Sequence, residues 1–269
     1  FGWRFLTKSD WDPSRQIFAV TPFILGTLYT SFWALLIAVP ISVASAIFLA
    51  EIAPGWLRLP VGFLVELLAA IPSVVYGLWG IFVLVPWLMK HVETPISNSP
   101  KLGNFALFNA PPNGNDILAA SLILAIMVTP FITSVSREVL RAIPRDARAG
   151  SYALGATRWE TIRNVVLPYA RSGMIGAIML GLGRALGETM AVTMVIGNNP
   201  DFHIALFSPG YTMASVIANE FTEAPLPLYR SALIEIGLTL FIMTAIVNGC
   251  ARLLVRYTAR SSQGEAHAK

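Results

Sequence analysis

Five long apolar runs constrain this chain more than any other feature of its sequence. They lie at Phe23–Ala50, Val61–Leu88, Ile117–Leu140, Gly173–Gly197 and Leu233–Val255. Each run is long enough for the about 20 residues that a helix needs to cross the hydrocarbon core of a bilayer. The sequence therefore predicts an all-α polytopic membrane protein, with five helical spans in this numbering.

The composition excludes several other classes of protein. Charged residues make up 13% of the chain, which is about half their share in a soluble domain. Hydrophobic residues make up 55%, which excludes a disordered chain. Cys250 is the single cysteine, so a disulfide scaffold is excluded. The histidines are scattered without metal-binding spacing, and no metal site or bound cofactor is expected.

The distribution of Lys and Arg predicts the orientation of the spans. Twelve of them fall on one side of the predicted membrane and six on the other. The twelve are Arg58, Arg137, Arg141, Arg145, Arg148, Arg158, Arg163, Arg171, Arg252, Arg256, Arg260 and Lys269. Their side is the cytoplasm, so the C-terminus is cytoplasmic, the basic excess belongs to the loops, and no nucleic-acid partner is expected.

The opposite side holds Phe1–Gln16 and two loops rich in Pro, Asn and Gly, at residues 91–116 and 198–228. We expect these loops to be irregular and periplasmic. Because the sequence begins at Phe1 and outside the membrane, we also expect an earlier span to be missing from this numbering. Six helices would then form the complete fold. Pro40, Pro72 and Pro130 lie inside predicted spans, where each is expected to kink its helix.

The cytoplasmic loop at residues 142–172 predicts two short amphipathic helices joined at Gly155. Thr157 is a candidate N-cap for the second helix, which we expect to run through Val166 and to end at Pro168. Two interpretations compete. The loop is either a passive interfacial hairpin whose arginines face lipid phosphates, or a docking element that carries force from a cytoplasmic motor.

Two opposite charges lie near the middle of the fourth predicted span. Arg184 and Glu188 are four residues apart, so a continuous helix would place them on one face. Thr189 and Thr193 add a polar row beside them. Intramembrane charges are costly and usually mark a transport path, although a structural Arg–Glu pair is the alternative. The nearby Gly183 and Gly187 predict close helix packing.

As a transport site, this pair would favour a protonated oxyanion. Arg184 offers a fixed positive fork, and Glu188 could accept a hydrogen bond from the anion. Phosphate carries a proton near neutral pH and sulfate does not, so the carboxylate would favour phosphate. Glu66 and Ser73 are seven residues apart on one face of the second predicted span. Glu66 either lines the path or snorkels to the interface.

The spacing of the cytoplasmic loop resembles the signature loop of ABC importer permeases. Gly155, Val165 and the Leu167-Pro168 pair stand at that family's spacing, while Ala149–Ser151 replaces its Glu-Ala-Ala triplet. The resemblance implies a coupling helix that fits a groove on an ATP-binding subunit. The implied coupling residues are Tyr152, Ala153, Leu154, Gly155, Ala156, Thr157, Arg158, Trp159, Leu167 and Pro168.

Over nearly its whole length the chain resembles the PstC family of phosphate importer permeases. The strongest stretches are Glu66–Gly77, Leu154–Pro168 and Leu180–Asn198. The resemblance implies a type I permease fold in the bacterial inner membrane. It also implies a PstA-like second permease, a PstB-like ATPase dimer that uses ATP and Mg, and a PstS-like periplasmic phosphate-binding protein. The chain itself lacks the P-loop motif, so we expect a transport subunit and not an enzyme.

Three other functions stay open at the level of sequence. One is a permease for another oxyanion, such as sulfate, molybdate or phosphonate. The second is a proton-coupled secondary transporter that uses Glu66 and Glu188. The third is a membrane scaffold without a transport path.

Overall fold

The computed structural model describes residues 2–267, and the side chains of all of these except residues 3, 4, 254 and 256–267. Five helices in this part of the chain are long and apolar enough to cross a membrane. They are span one, Thr21–Ile52; span two, Ser73–Ser97; span three, Ile117–Arg141; span four, Arg158–Gly187; and span five, Pro227–Leu253. The prediction of an all-α protein with five spans is confirmed.

Shorter helices connect or extend these spans. They are Trp3–Thr7, Gly55–Ala69, Arg145–Ala153, Met190–Val195 and Met213–Glu220, with one 3₁₀ turn at Pro13–Arg15. The helix of span five itself continues to His267. Residues 198–228 were predicted to be an irregular loop, but they contain Met213–Glu220. Thr212 and Ser215 cap that helix reciprocally, which satisfies two of its N-terminal donors.

The predicted second span is wrong at both ends. The helix Gly55–Ala69 ends before Pro72, and a separate helix begins at Ser73 and extends to Ser97. Pro72 has no N–H and disfavours helical backbone in the residue before it, so the chain breaks there and does not merely kink. Glu66 and Ser73 therefore lie on different helices, and the irregular loop predicted from residue 91 starts only after Ser97.

Pro168 was predicted to end the second helix of the loop at residues 142–172, and this is also wrong. The helix passes through Pro168 into span four, because the π-turn Ile162–Val166 precedes it. The N–H of Leu167 donates to the carbonyl of Ile162, five residues back. The wider turn gives the proline ring room that an α-helical turn lacks. The same arrangement precedes Pro86 and Pro95 in span two.

Contacts group the chain into two compact units, each assembled from segments distant in sequence. Unit 1 comprises the described residues of Phe1–Ile37, Ile71–Met127 and Arg184–Thr244. Its core includes Trp11, Phe18 and Phe23. Unit 2 comprises those of Ala38–Ala70, Val128–Gly183 and Ala245–Lys269. Its core gathers Ala46, Leu140, Ile143, Val166 and Ala170.

Two fully buried carboxyl groups, Glu93 and Asp116, contact each other in unit 1. The backbone N–H of Gly114 donates to Glu93 at 2.9 Å, and that of Ala119 donates to Asp116 at 2.8 Å. Burial, together with the neighbouring charge of Glu93, raises the pKa of Asp116 to about 8. Two carboxyl groups in contact hold a shared proton more readily than two negative charges. The folded chain therefore prefers a protonated Asp116.

This preference predicts that folding stability falls as pH rises between about 4 and about 8. Over this interval Asp116 ionises in the unfolded chain but keeps its proton in the folded one. Between these pH values, the free energy of unfolding of the Asp116→Asn variant should change less than that of the wild type, by roughly 2–5 kcal/mol. Thermal unfolding of the detergent-solubilised chain across this pH range measures it, with Asp201→Asn, an exposed residue of the same unit, as the control. Parallel pH profiles for the wild type and Asp116→Asn would contradict the assignment.

Candidate functional site

Arg184 and Glu188 lie at a break in the helical structure. Span four ends at Gly187, and Arg184 lies in its last turn with an exposed side chain. Glu188 and Thr189 are outside any helix, and a new helix starts at Met190. The prediction that Arg184 and Glu188 share one helix face is therefore wrong. The break instead leaves both side chains at the junction of two helical segments.

Local hydrogen bonds define what this junction offers to a ligand. Glu188 is half-buried, and its carboxylate accepts from the N–H of Ala191 at 3.4 Å, in the first turn of the next helix. The hydroxyl of Thr189 donates to the carbonyl of Gly187 at 3.2 Å, and that of Thr193 donates to the carbonyl of Thr189 at 2.7 Å. Both hydroxyl protons are thus engaged, which leaves oxygen lone pairs. The cluster combines one cation with several acceptors.

The start of span two packs against the helix that follows the junction. A Cβ on Gly77 would lie 3.2 Å from the Cα of Ala191, so the two backbones approach closely. This contact brings Ser73 and Tyr76 into the same unit as Arg184. Tyr76 is 8% exposed and interacts electrostatically with Arg184.

Tyr76 was not among the residues predicted for this site. Its only signal was its position three residues after Ser73, on the same face of a helix. That face is recognisable only when the helix is known to begin at Ser73. Tyr76 adds a buried phenol within electrostatic range of Arg184.

The predicted close packing at Gly183 and Gly187 is not found at these two glycines, but at the neighbouring Gly181. A Cβ on Gly183 would make an ordinary contact with Asn248 at 3.7 Å, and one on Gly187 would meet nothing within 4 Å. The close approach occurs instead at Gly181, where a Cβ would lie 2.6 Å from the side chain of Ile132. Among the described residues, the Gly183–Gly187 pair therefore does not form a close-packing motif.

Glu66 belongs to unit 2, where it pairs with Arg137. The guanidinium of Arg137 donates to the Glu66 carboxylate at 2.5 Å, and the two side chains are 7% and 55% exposed. The absence of a side chain at Gly62, one turn earlier, leaves room for the guanidinium. Arg137 was counted among the loop charges, but it lies inside span three. Glu66 compensates a buried cation, which neither interpretation of its sequence position anticipated.

The loop at residues 142–172 has the predicted helix–Gly–helix form. The first helix is Arg145–Ala153, and Gly155 follows with φ +85°, a conformation that favours glycine. Thr157 caps the second helix through a reciprocal pair with Glu160, as predicted. Leu154 is 90% exposed, and Tyr152 and Trp159 are exposed beside it. The apex of the loop thus presents a small apolar surface that the described residues leave uncovered.

Comparison with known proteins decides which family this arrangement represents. The model of the binding-protein-dependent transport system inner membrane component family matches residues 38–261. The chain belongs to this family. With five candidate spans, this family member is a multi-pass membrane protein.

Curated relatives of this permease cover most of its length. The phosphate transport system permease protein PstC of Pasteurella multocida is 51% identical over 259 residues, which are 95% of this chain and 80% of the relative. The PstC protein of Mesorhizobium japonicum is 47% identical and covers 97% of this chain and 81% of its own. A probable PstC protein of Methanocaldococcus jannaschii is 40% identical, with coverage of 90% and 76%.

Solved structures support the fold of the permease. An inward-facing MetNI methionine ABC transporter chain superposes with a TM-score of 0.60 at 19% identity, covering 89% of this chain and 94% of that one. A bacterial ABC transporter for alginate import gives 0.58 at 18% identity, covering 90% and 80%. The fold is that of type I ABC importer permeases, as the sequence predicted.

Proposed function

We propose that this chain is the transmembrane permease subunit of an ATP-driven phosphate importer and forms half of its translocation path. The observation that carries the proposal is the exposed Arg184 at the break after span four, with Glu188 in the break itself. The names of relatives at 47–51% identity support phosphate as the substrate.

The groups at the break suit a partly protonated oxyanion. The guanidinium of Arg184 is permanently charged and donates in a planar fork, which matches two oxygens of a tetrahedral anion. The Glu188 carboxylate is an acceptor, so it favours an anion that carries a proton of its own. Sulfate near neutral pH has no such proton and would face the carboxylate with repulsion and an unpaired acceptor. Tyr76, Thr189, Thr193 and Ser73 supply further polar positions.

The proposed assembly provides the energy from outside this chain. A PstA-like permease would complete the path, a PstB-like ATPase dimer would bind ATP and Mg, and a PstS-like periplasmic protein would deliver phosphate. The exposed apex around Leu154 is the proposed contact for the ATPase. The charge asymmetry of the loops supports a cytoplasmic C-terminus in a bacterial inner membrane, with lipid and no nucleic acid as further partner.

Uptake by the complete complex tests this function. Reconstituted vesicles should import labelled phosphate only with ATP, and an excess of unlabelled sulfate should not compete. The Glu188→Gln variant should become more sensitive to sulfate, because its side chain no longer repels an unprotonated anion. Hydrolysis of ATP with import of sulfate in place of phosphate would assign another oxyanion. Import driven by a proton gradient without the ATPase would support a secondary transporter instead.

A further inference from the structure

Glu51 lies at the cytoplasmic end proposed for span one, outside the proposed anion site. It belongs to the π-turn Phe48–Ile52, in which the chain completes the span. Its carboxylate accepts from the guanidinium of Arg148 at 2.7 Å. The side chains of Glu51 and Arg148 are only 11% and 19% exposed. A charge pair shielded from water to this degree holds its geometry more firmly than an exposed pair.

Arg148 also attaches the loop to span three. One of its guanidinium nitrogens donates to the carbonyl of Leu140 at 2.7 Å, and the other donates to the carbonyl of Ile143 at 2.6 Å. Leu140 lies in the last turn of span three, where backbone carbonyls lack helical partners. A cation at this end of a helix is also favoured by the helix dipole. Arg148 therefore connects the helix Arg145–Ala153 to two spans at once.

The second helix of the loop reaches the same residue. Arg158, the first residue of that helix, donates from its guanidinium to the backbone carbonyl of Glu51. The loop is thus attached to Glu51 from both sides of Gly155, through Arg148 before it and Arg158 after it. A Cβ on Gly155, between the two attachments, would meet nothing within 4 Å among the described residues.

These contacts make Glu51 the point where a displacement of the apex would enter the spans. Buried ion pairs contribute little net stability compared with apolar packing, so stability alone is a weak reason for this arrangement. The three groups instead connect the apex to spans one and three through short, directional bonds. The apolar cluster of Ala46, Leu140, Ile143, Val166 and Ala170 packs in the same unit and supports them.

We propose that Glu51, Arg148 and Arg158 form the joint that transmits ATP-driven movement from the coupling loop to spans one and three. The proposal rests on the proposed function, because it requires an ATPase that docks on the loop. Glu51 and Arg148 are positioning residues: they contact neither the anion nor ATP. Their loss should separate ATP hydrolysis from import without removing either binding event.

The test compares Arg148→Gln with Arg145→Gln in the complete reconstituted complex. Arg145 is exposed and lies on the same helix, three residues earlier, so it controls for the loss of a positive charge. We expect Arg148→Gln to assemble and hydrolyse ATP, while anion import per ATP falls by about tenfold, as the loss of a charge-assisted contact implies. Arg145→Gln should keep the wild-type ratio. If Arg148→Gln imports as many anions per ATP as the wild type, the proposed joint is wrong.

Glu51→Gln tests the joint from the other side and does not alter the loop. It should raise the amount of ATP consumed per imported anion, and the double variant Glu51→Gln/Arg148→Gln should be no worse than the poorer single variant. If the losses of import per ATP add up in the double variant, Glu51 and Arg148 act independently and the proposed joint is wrong. The ratio is measured with whichever anion the wild-type complex imports, so a wrong substrate leaves the test intact. A wild-type complex that imports no anion with ATP would overturn both proposals.

Discussion

Replacing Arg184 with glutamine in the assembled importer is expected to lower phosphate import by about 10- to 100-fold. Glutamine keeps a polar side chain but removes the fixed positive charge and the fork that holds two anion oxygens. Assembly should be unaffected, because the Arg184 side chain is exposed at a helix end and is not part of the packed core. Labelled-phosphate uptake and size-exclusion chromatography of the complex measure the two effects separately.

Two variants sharpen this test. Arg171→Gln removes an exposed arginine from the same helical segment as Arg184, Leu167–Gly187, and should import at the wild-type rate. Arg184→Lys keeps the charge without the planar fork and should recover only part of the import. If Arg184→Gln transports like the wild type, Arg184 is not in the path, and the break after span four has a structural role.

Hydropathy predicts the spans because each must bury about 20 apolar residues in the bilayer regardless of what it packs against. It does not predict where a span breaks or continues at proline. Pro72 separates two helices, whereas Pro168 lies within one continuous helix. The difference arises from the π-turn before Pro168, whose hydrogen bonds join residues five apart and leave no mark on the apolar pattern.

The helix–Gly–helix form of the loop at residues 142–172 was predictable because its determinants are local. A glycine at positive φ and a Thr–Glu capping box act within five residues of Gly155. The attachment of that loop to Glu51 joins residues 97 positions apart in the case of Arg148. Composition and spacing contain no information about such a pairing, so it became visible only in the folded chain.

The candidate anion site was predictable in part: its residues could be chosen from the sequence, but their arrangement could not. Charges inside an apolar span are conspicuous, so Arg184 and Glu188 could be chosen from the sequence alone. Their geometry could not, because it depends on the helix break at Glu188 and on the segment of span two that packs beside it. Tyr76 illustrates the same limit: its electrostatic interaction with Arg184 depends on a helix start that hydropathy did not locate.

Gly26 is the position in unit 1 where a single methyl group is expected to be most damaging. A Cβ on Gly26 would overlap the backbone carbonyl of Tyr211. That segment is also fixed to span one by a hydrogen bond from the N–H of Met213 to the Thr27 hydroxyl, at 2.9 Å. Phe23 packs edge-on against the Tyr211 ring, with centroids 5.5 Å apart. The obstacle is backbone held in place on both sides, so no side-chain rotation can relieve it.

Gly26→Ala should therefore lower the free energy of unfolding by about 1–3 kcal/mol, the usual cost of overpacking. Thermal unfolding of the detergent-solubilised chain measures the loss. The matched control is Gly249→Ala in span five, where a Cβ would meet nothing within 4 Å. Alanine there should leave stability unchanged or raise it by up to about 1 kcal/mol, because alanine favours helix more than glycine does. Equal melting temperatures for the two variants would mean that the 211–213 segment yields, and that its contacts with span one are looser than the structure shows.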